Sequence, residues 1–167
     1  MKKAMGYSLL ELVIVVALVG IVFSIAVPSM RVLTQNDRLV THINTMVGHL
    51  AYARSEAVKR SQQVSVCVSN DAATCTGGSW EDGWIVYIDA DADNAFTANE
   101  QILRVQQALG GNNNVTTTLG NQITYDYRGF TNAAGSMLLC DDRSGDLGKT
   151  LTITNTGRVR TSRDSTC

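Results

Sequence analysis

The sequence predicts an α+β chain, with one long N-terminal helix packed on an antiparallel β-sheet domain. Three patterns carry that prediction. An almost uninterrupted apolar run extends from Leu12 to Val27. Val32, Leu39, Ile43, Met46, Leu50, Ala53 and Ala57 then recur at three- and four-residue spacings, apart from a gap at Asn36, as one face of a helix does. Beyond Ser61 the period falls to two in Val64–Val68 and Trp84–Ile88, which is the signature of strands.

The opening is the most informative stretch. Tyr7–Val27 is 21 residues long, or about 30 Å as a helix, which matches the hydrocarbon thickness of a bilayer. Lys2 and Lys3 precede it and no further lysine or arginine follows before Arg31. The positive-inside rule then predicts a cytoplasmic N-terminus, with residues 31–167 across the membrane. A cleaved secretory signal is the competing reading, but Ala26-Val27-Pro28-Ser29 makes a poor cleavage site and Glu11 fits no ordinary apolar core. A carboxylate at the bilayer centre costs roughly 2.5–3.5 kcal/mol, so Glu11 implies a partner. Pro28 has no backbone N–H to donate, and is expected to bend the helix or end one section of it, with Ser29 as a restart or cap.

Lys2-Lys3, Gly6, Tyr7, Ser8, Leu9, Glu11 and Pro28 together resemble the class III leader of type IV pilins and type II secretion pseudopilins. Tyr7 departs from the usual phenylalanine but keeps a ring. The resemblance implies cleavage by a prepilin peptidase between Gly6 and Tyr7, and N-methylation of Tyr7. It also implies assembly in the inner membrane with other pilin or pseudopilin subunits. Glu11 would then neutralise the freed amine of a neighbouring subunit, because opposite charges in a low-dielectric medium attract far more strongly than in water. Further on, Leu50-Ala51-Tyr52-Ala53-Arg54-Ser55-Glu56-Ala57, Val64–Cys67 and Gly83-Trp84-Ile85-Val86-Tyr87-Ile88-Asp89 resemble the GspH/FimT family of pseudopilins and minor pilins. That family implies a pilin-like fold and a low-copy subunit that initiates or caps a filament.

The expected organisation is a leader at 1–6, a membrane and assembly helix at 7–28, an amphipathic helix at 29–62 and a periplasmic β-rich part at 63–167. Residues 29–62 and 63–167 form one globular domain. Further strands are expected at Gln101–Val105, Gln122–Tyr127, Met137–Cys140 and Leu151–Thr154, separated by Gly/Asn/Asp turns.

Cys67, Cys75, Cys140 and Cys167 would lie in an oxidising compartment, where disulfides persist. Three pairings are open. Cys67–Cys75, which closes a short turn, and Cys140–Cys167, which ties down the chain end, are favoured. Loop entropy gives about 2.5 and about 3.6 kcal/mol for these two.

Two constellations could carry chemistry. Asp89, Asp91, Asp93 and Glu100 occupy positions 1, 3, 5 and 12 of a calcium loop, although Asn94 stands where the turn glycine is usual. Gly157-Arg158-Val159-Arg160 with Arg163 puts two guanidinium groups on one side of an extended strand, suited to straddling a phosphate backbone. This Gly-Arg-x-Arg run also resembles the DNA-binding segment of FimT-type minor pilins, which implies double-stranded DNA as a partner in natural transformation.

Without Lys2 and Lys3 the chain carries 12 basic against 15 acidic side chains, a balance that argues against a wholesale nucleic-acid binder. The distribution is uneven. Residues 149–167 set Lys149, Arg158, Arg160 and Arg163 against Asp164, whereas residues 61–126 set Arg104 against eight acids.

No enzyme motif is complete. Gly145–Thr150 resembles a phosphate loop, but Arg143 occupies the position of its first glycine. His42 and His49 lack the companions of a metal or nucleophile site and are expected to be ordinary surface or boundary residues.

Overall fold

The computed structural model describes residues 8–167, so the cleavage and methylation positions Gly6 and Tyr7 lie outside the described residues. The chain divides at Asp37/Arg38 into two compact units. Helix α1 spans Leu9–Arg60 and supplies both.

In the first unit α1 buries nothing. From Ser8 to Thr34 every residue is exposed except Ala26, which is half-buried. The helix runs through Pro28 without a break, so the proline does not end a section of it. A proline removes one intrahelical bond, here the one that the Ser24 carbonyl would accept four residues earlier. Ser24 Oγ donates to the Ile21 carbonyl and Ser29 Oγ to that of Ala26, so Ser29 bonds back into the helix and does not cap it.

In the second unit α1 buries Leu39, Ile43, Met46, Leu50, Ala53, Glu56 and Ala57. Val32 drops out of the predicted stripe and stays half-exposed in the first unit. The helix ends without glycine. Ser61 takes the left-handed conformation (φ 54°), its N–H donates to Val58 and the N–H of Gln62 to Ala57, which satisfies two terminal carbonyls.

Eight strands follow: β1 (Gln63–Val68), β2 (Gly83–Asp89), β3 (Ile102–Gln107), β4 (Asn114–Thr117), β5 (Gln122–Tyr125), β6 (Gly135–Cys140), β7 (Gly148–Ile153) and β8 (Val159–Ser165). They form two four-stranded sheets, ordered β3-β2-β1-β5 and β4-β6-β7-β8, and every strand pairing is antiparallel. The chain leaves the first sheet for β4, returns for β5 and then completes the second. Strand β4 had no counterpart among the predicted strands, and β8 was anticipated only as the extended stretch around Arg158 and Arg160.

One apolar cluster joins the buried helix face to both sheets through Val64, Val66, Trp84, Ile123, Met137 and Leu151. Trp80, in a single 3-10 turn, anchors the crossing between sheets by donating its indole N–H to the Gly120 carbonyl at 2.8 Å. Trp84 donates to Nδ1 of His49 at 2.9 Å. Burial, and then the Arg104 charge, push the His49 pKa down, which keeps that nitrogen an acceptor. His42 Nε2 meets the Gly110 carbonyl.

The other face of the first sheet is also covered. Cys67, Ile85 and Tyr87 form a second small cluster capped by Phe96, whose ring meets Tyr87 edge-on at 5.1 Å. Beside it Ser65 and Thr124 share a hydrogen bond, and the Gln122 amide donates to the Tyr87 hydroxyl. This explains why β1 and β2 are buried almost throughout. Disulfides join Cys67 to Cys75 and Cys140 to Cys167.

Candidate functional site

Three surfaces carry residues singled out in the sequence. The first is the opening of α1. Glu11 lies in its first turn, and Leu9, Val13, Val16, Ile21, Phe23 and Ile25 are each at least half exposed. Among the described residues this is the one helix long and apolar enough to cross a membrane. A contiguous exposed apolar surface of this length is of the kind that marks membrane or protein contact.

The second surface is the β8 edge of the second sheet. Val159 packs against the core, so Arg158 and Arg160 point the other way, and Arg163 is exposed further along the strand. Among the described residues no ion pair engages these three arginines. Lys149, expected beside them, is half-buried on β7 and has interactions of its own.

The turn that leads into this edge is held from below. Arg54 on α1 donates from Nε to the Gly129 carbonyl and from a terminal nitrogen to the Thr156 carbonyl, both at 3.0 Å. Gly157 sits against Gly129 with φ 74°, where a Cβ would lie 2.2 Å from the Gly129 oxygen. Arg54 therefore ties the β5–β6 and β7–β8 turns to the helix, a role that sequence reading missed. Its long-range carbonyl partners leave no local pattern.

Next to it, Arg128 pairs with Asp126 and lies over the exposed rings of Tyr127 and Phe130. The expected strand ran through Tyr127, but β5 ends at Tyr125 and Tyr127–Phe130 lie in a turn. Its two bulky rings flanking an arginine were the available signal.

The third surface is the loop between β2 and β3. Asp89 ends β2 and is 1% exposed, and its Oδ2 accepts the Asn94 N–H at 3.1 Å. Asp91 and Asp93 are exposed, and each offers a carboxylate oxygen within 4.8 Å of the others and of one from Asp89. Asn94 adopts the left-handed conformation (φ 59°) that glycine usually supplies, which asparagine tolerates. Burial, and then the negative charge of Glu100, raise the Asp89 pKa, while the N–H groups of Asn94 and Ala92 pull it down.

Glu100 does not join the three aspartates. Its oxygens accept the N–H groups of Ala90 and Thr97, at 3.1 and 2.7 Å, and close the loop on itself. The position-12 role read from spacing is thus taken by backbone bonding.

Comparison with known proteins follows this architecture. Residues 42–157 match the family described as type II transport protein GspH, and the match ends just before Arg158. No curated protein sequence is significantly similar to the chain. The fold is similar to that of the type IV minor pilin FimU of Pseudomonas aeruginosa, with TM-score 0.63 at 18% identity, covering 80% of this chain and 96% of that one. A second crystal form of FimU gives TM-score 0.52 at 19% identity, covering 77% and 94%. The minor pseudopilin EpsH of the Vibrio cholerae type 2 secretion system gives TM-score 0.56 at 14% identity, covering 75% and 97%. With the family matched over more than half of its length, and with a helix and paired antiparallel sheets of this kind, the chain belongs to the GspH/FimT family of minor pilins and pseudopilins.

Proposed function

We propose that the chain is a low-copy structural subunit that initiates or caps a type IV pilus or a type II secretion pseudopilus. It is anchored in the inner membrane by the first part of α1, with residues 31–167 in the periplasm. The observation that carries this reading is the apolar opening of α1, exposed from Ser8 to Thr34 except at half-buried Ala26. Lipid covers such a surface before assembly and the helices of other subunits cover it afterwards. Glu11 is the one charged side chain between Ser8 and Met30, and it would pair with the freed amine of the neighbouring subunit. Prepilin peptidase supplies that amine by cutting after Gly6, and Tyr7 is then methylated. The role is mechanical and involves no catalysed step.

The test is Glu11→Ala in cells producing the filament. The variant is expected in the inner-membrane fraction at wild-type amount yet absent from sheared or purified filaments. Normal incorporation would refute the pairing. Mass spectrometry of the mature protein is expected to start at methylated Tyr7. A retained leader on a monomeric protein would refute the assembly role.

A second reading rests on the exposed arginines of the β8 edge: capture of double-stranded DNA through Arg158, Arg160 and Arg163, with Lys149 nearby. Phosphate contacts of this kind release counterions and weaken steeply with salt. A mobility shift with the full chain in detergent is expected to show salt-sensitive binding that Arg158→Ala/Arg160→Ala abolishes. Absence of binding by the wild type would leave these arginines as solubilising groups on an edge strand.

A further inference from the structure

We propose that the loop between β2 and β3 is a calcium site, with Asp89, Asp91 and Asp93 as its protein ligands. Two independent observations lead there. One is the cluster itself: three carboxylate oxygens within 4.8 Å of one another. Calcium holds oxygen at about 2.3–2.6 Å, so oxygens facing each other across one ion are separated by no more than about 4.6–5.2 Å. The three aspartates therefore span a distance that a single ion bridges.

The other observation is Asp89 Oδ1. This oxygen is buried, belongs to a residue only 1% exposed, and has no hydrogen-bond partner among the described residues. Leaving a buried carboxylate oxygen unpaired is unfavourable unless a proton, a donor or a cation compensates. Asp91 and Asp93 bring further negative charge to Asp89, and the loop N–H groups that act on its carboxylate leave Oδ1 without a hydrogen bond. A hard dication satisfies all three at once, and turns mutual repulsion into shared coordination.

The geometry also fits the softer demands of calcium. Asp91 and Asp93 are exposed, which leaves the remaining coordination positions to water, and calcium accepts such irregular shells where magnesium requires a near-ideal octahedron. Glu100 is not needed as a ligand. By holding the N–H groups of Ala90 and Thr97 it fixes the two ends of the loop around the aspartates. Phe96, from the same loop, caps Tyr87 and the outer face of the first sheet. Bound calcium would thus steady the cover over that face.

The experiment is calcium titration by calorimetry on the full chain in detergent after EDTA treatment, with melting temperature as a second readout. Wild type is expected to bind one calcium ion saturably and to melt several degrees higher in its presence. Asp91→Asn/Asp93→Asn alters only exposed side chains and is expected to keep the native circular dichroism spectrum while losing at least tenfold in affinity. No heat at millimolar calcium from folded wild type would overturn the proposal. So would equal binding by the double variant, or an equal response to magnesium at the same concentration.

Discussion

Replacing Gly157 by alanine is the sharpest test of how the β8 edge is built. Two costs can be separated by comparing it with Gly120. Both glycines have nearly the same backbone, φ 74° and φ 70°, but a Cβ at Gly120 meets nothing within 4 Å. Gly120→Ala therefore carries only the left-handed conformational cost, about 1–2 kcal/mol. At Gly157 the added carbon would lie 2.2 Å from the Gly129 oxygen, 3.0 Å from Arg54 Nε and 3.1 Å from Tyr125.

The first of those neighbours is backbone, and the first two are the acceptor and donor of one hydrogen bond. Overpacking that also displaces a charged hydrogen bond adds about 2–3 kcal/mol. The sum is about 3–5 kcal/mol, a large part of the stability of an ordinary domain. At roughly 4 °C per kcal/mol for a domain of this size, the melting temperature should fall by about 12–20 °C for Gly157→Ala and by about 4–8 °C for Gly120→Ala. Thermal unfolding of the full chain in detergent, followed by near-UV circular dichroism of the buried tryptophans, measures both. Equal losses in the two variants would show that the contact with Gly129 does not constrain the turn.

Three further outcomes are expected. Leu50, fully buried on α1, should cost about 2–5 kcal/mol as Leu50→Ala, whereas exposed Leu33→Ala should change denaturant stability of the folded domain by less than about 0.5 kcal/mol. Burial pushes the Tyr87 and Tyr125 hydroxyls up to about 12, so the native state keeps protons that the unfolded chain releases near pH 10, and stability should fall as pH rises from about 10 to 12. Tyr125 Oη is buried with no hydrogen-bond partner among the described residues, so Tyr125→Phe should leave neutral-pH stability unchanged or improved and should flatten that alkaline loss in pH-dependent unfolding. The Thr74 hydroxyl, followed by the Ala73 and Thr74 N–H groups, holds Asp71 well below the usual carboxylate range. Its contribution should be complete above about pH 4 and lost in stronger acid, and Asp71→Ala should reduce the acid sensitivity measured in the same titration.

What could be read from the sequence depended on how local its cause was. The amphipathic part of α1, β1 and β2 announce themselves because side chains a few residues apart share a face. Strand β4 has one residue, Val115, packed on the core, and β8 likewise has Val159. An edge or half-solvated strand needs no more, so neither shows an apolar alternation to read. The continuity of α1 through Pro28 was hidden for the opposite reason. Of the two effects expected of the proline, a bend or an end, the helix on either side rules out the end. At the acidic loop the three aspartates were legible from spacing alone. Glu100 was not, because its long side chain reaches backbone N–H groups on either side of the loop and not the position its spacing implied.

The Gly-Arg-x-Arg run shows the same division inside four residues. Read as a string it is one motif, but its parts answer to different forces. Gly157 is fixed by a carbonyl 28 positions earlier in the chain and by a helix arginine over 100 positions earlier, contacts that no local pattern reveals. Arg158 and Arg160 have exposed side chains, and among the described residues no ion pair holds them. A variant at Gly157 therefore reports on folding, whatever it does to binding. Only the arginines, changed while the glycine stays, can say whether this edge meets a phosphate backbone.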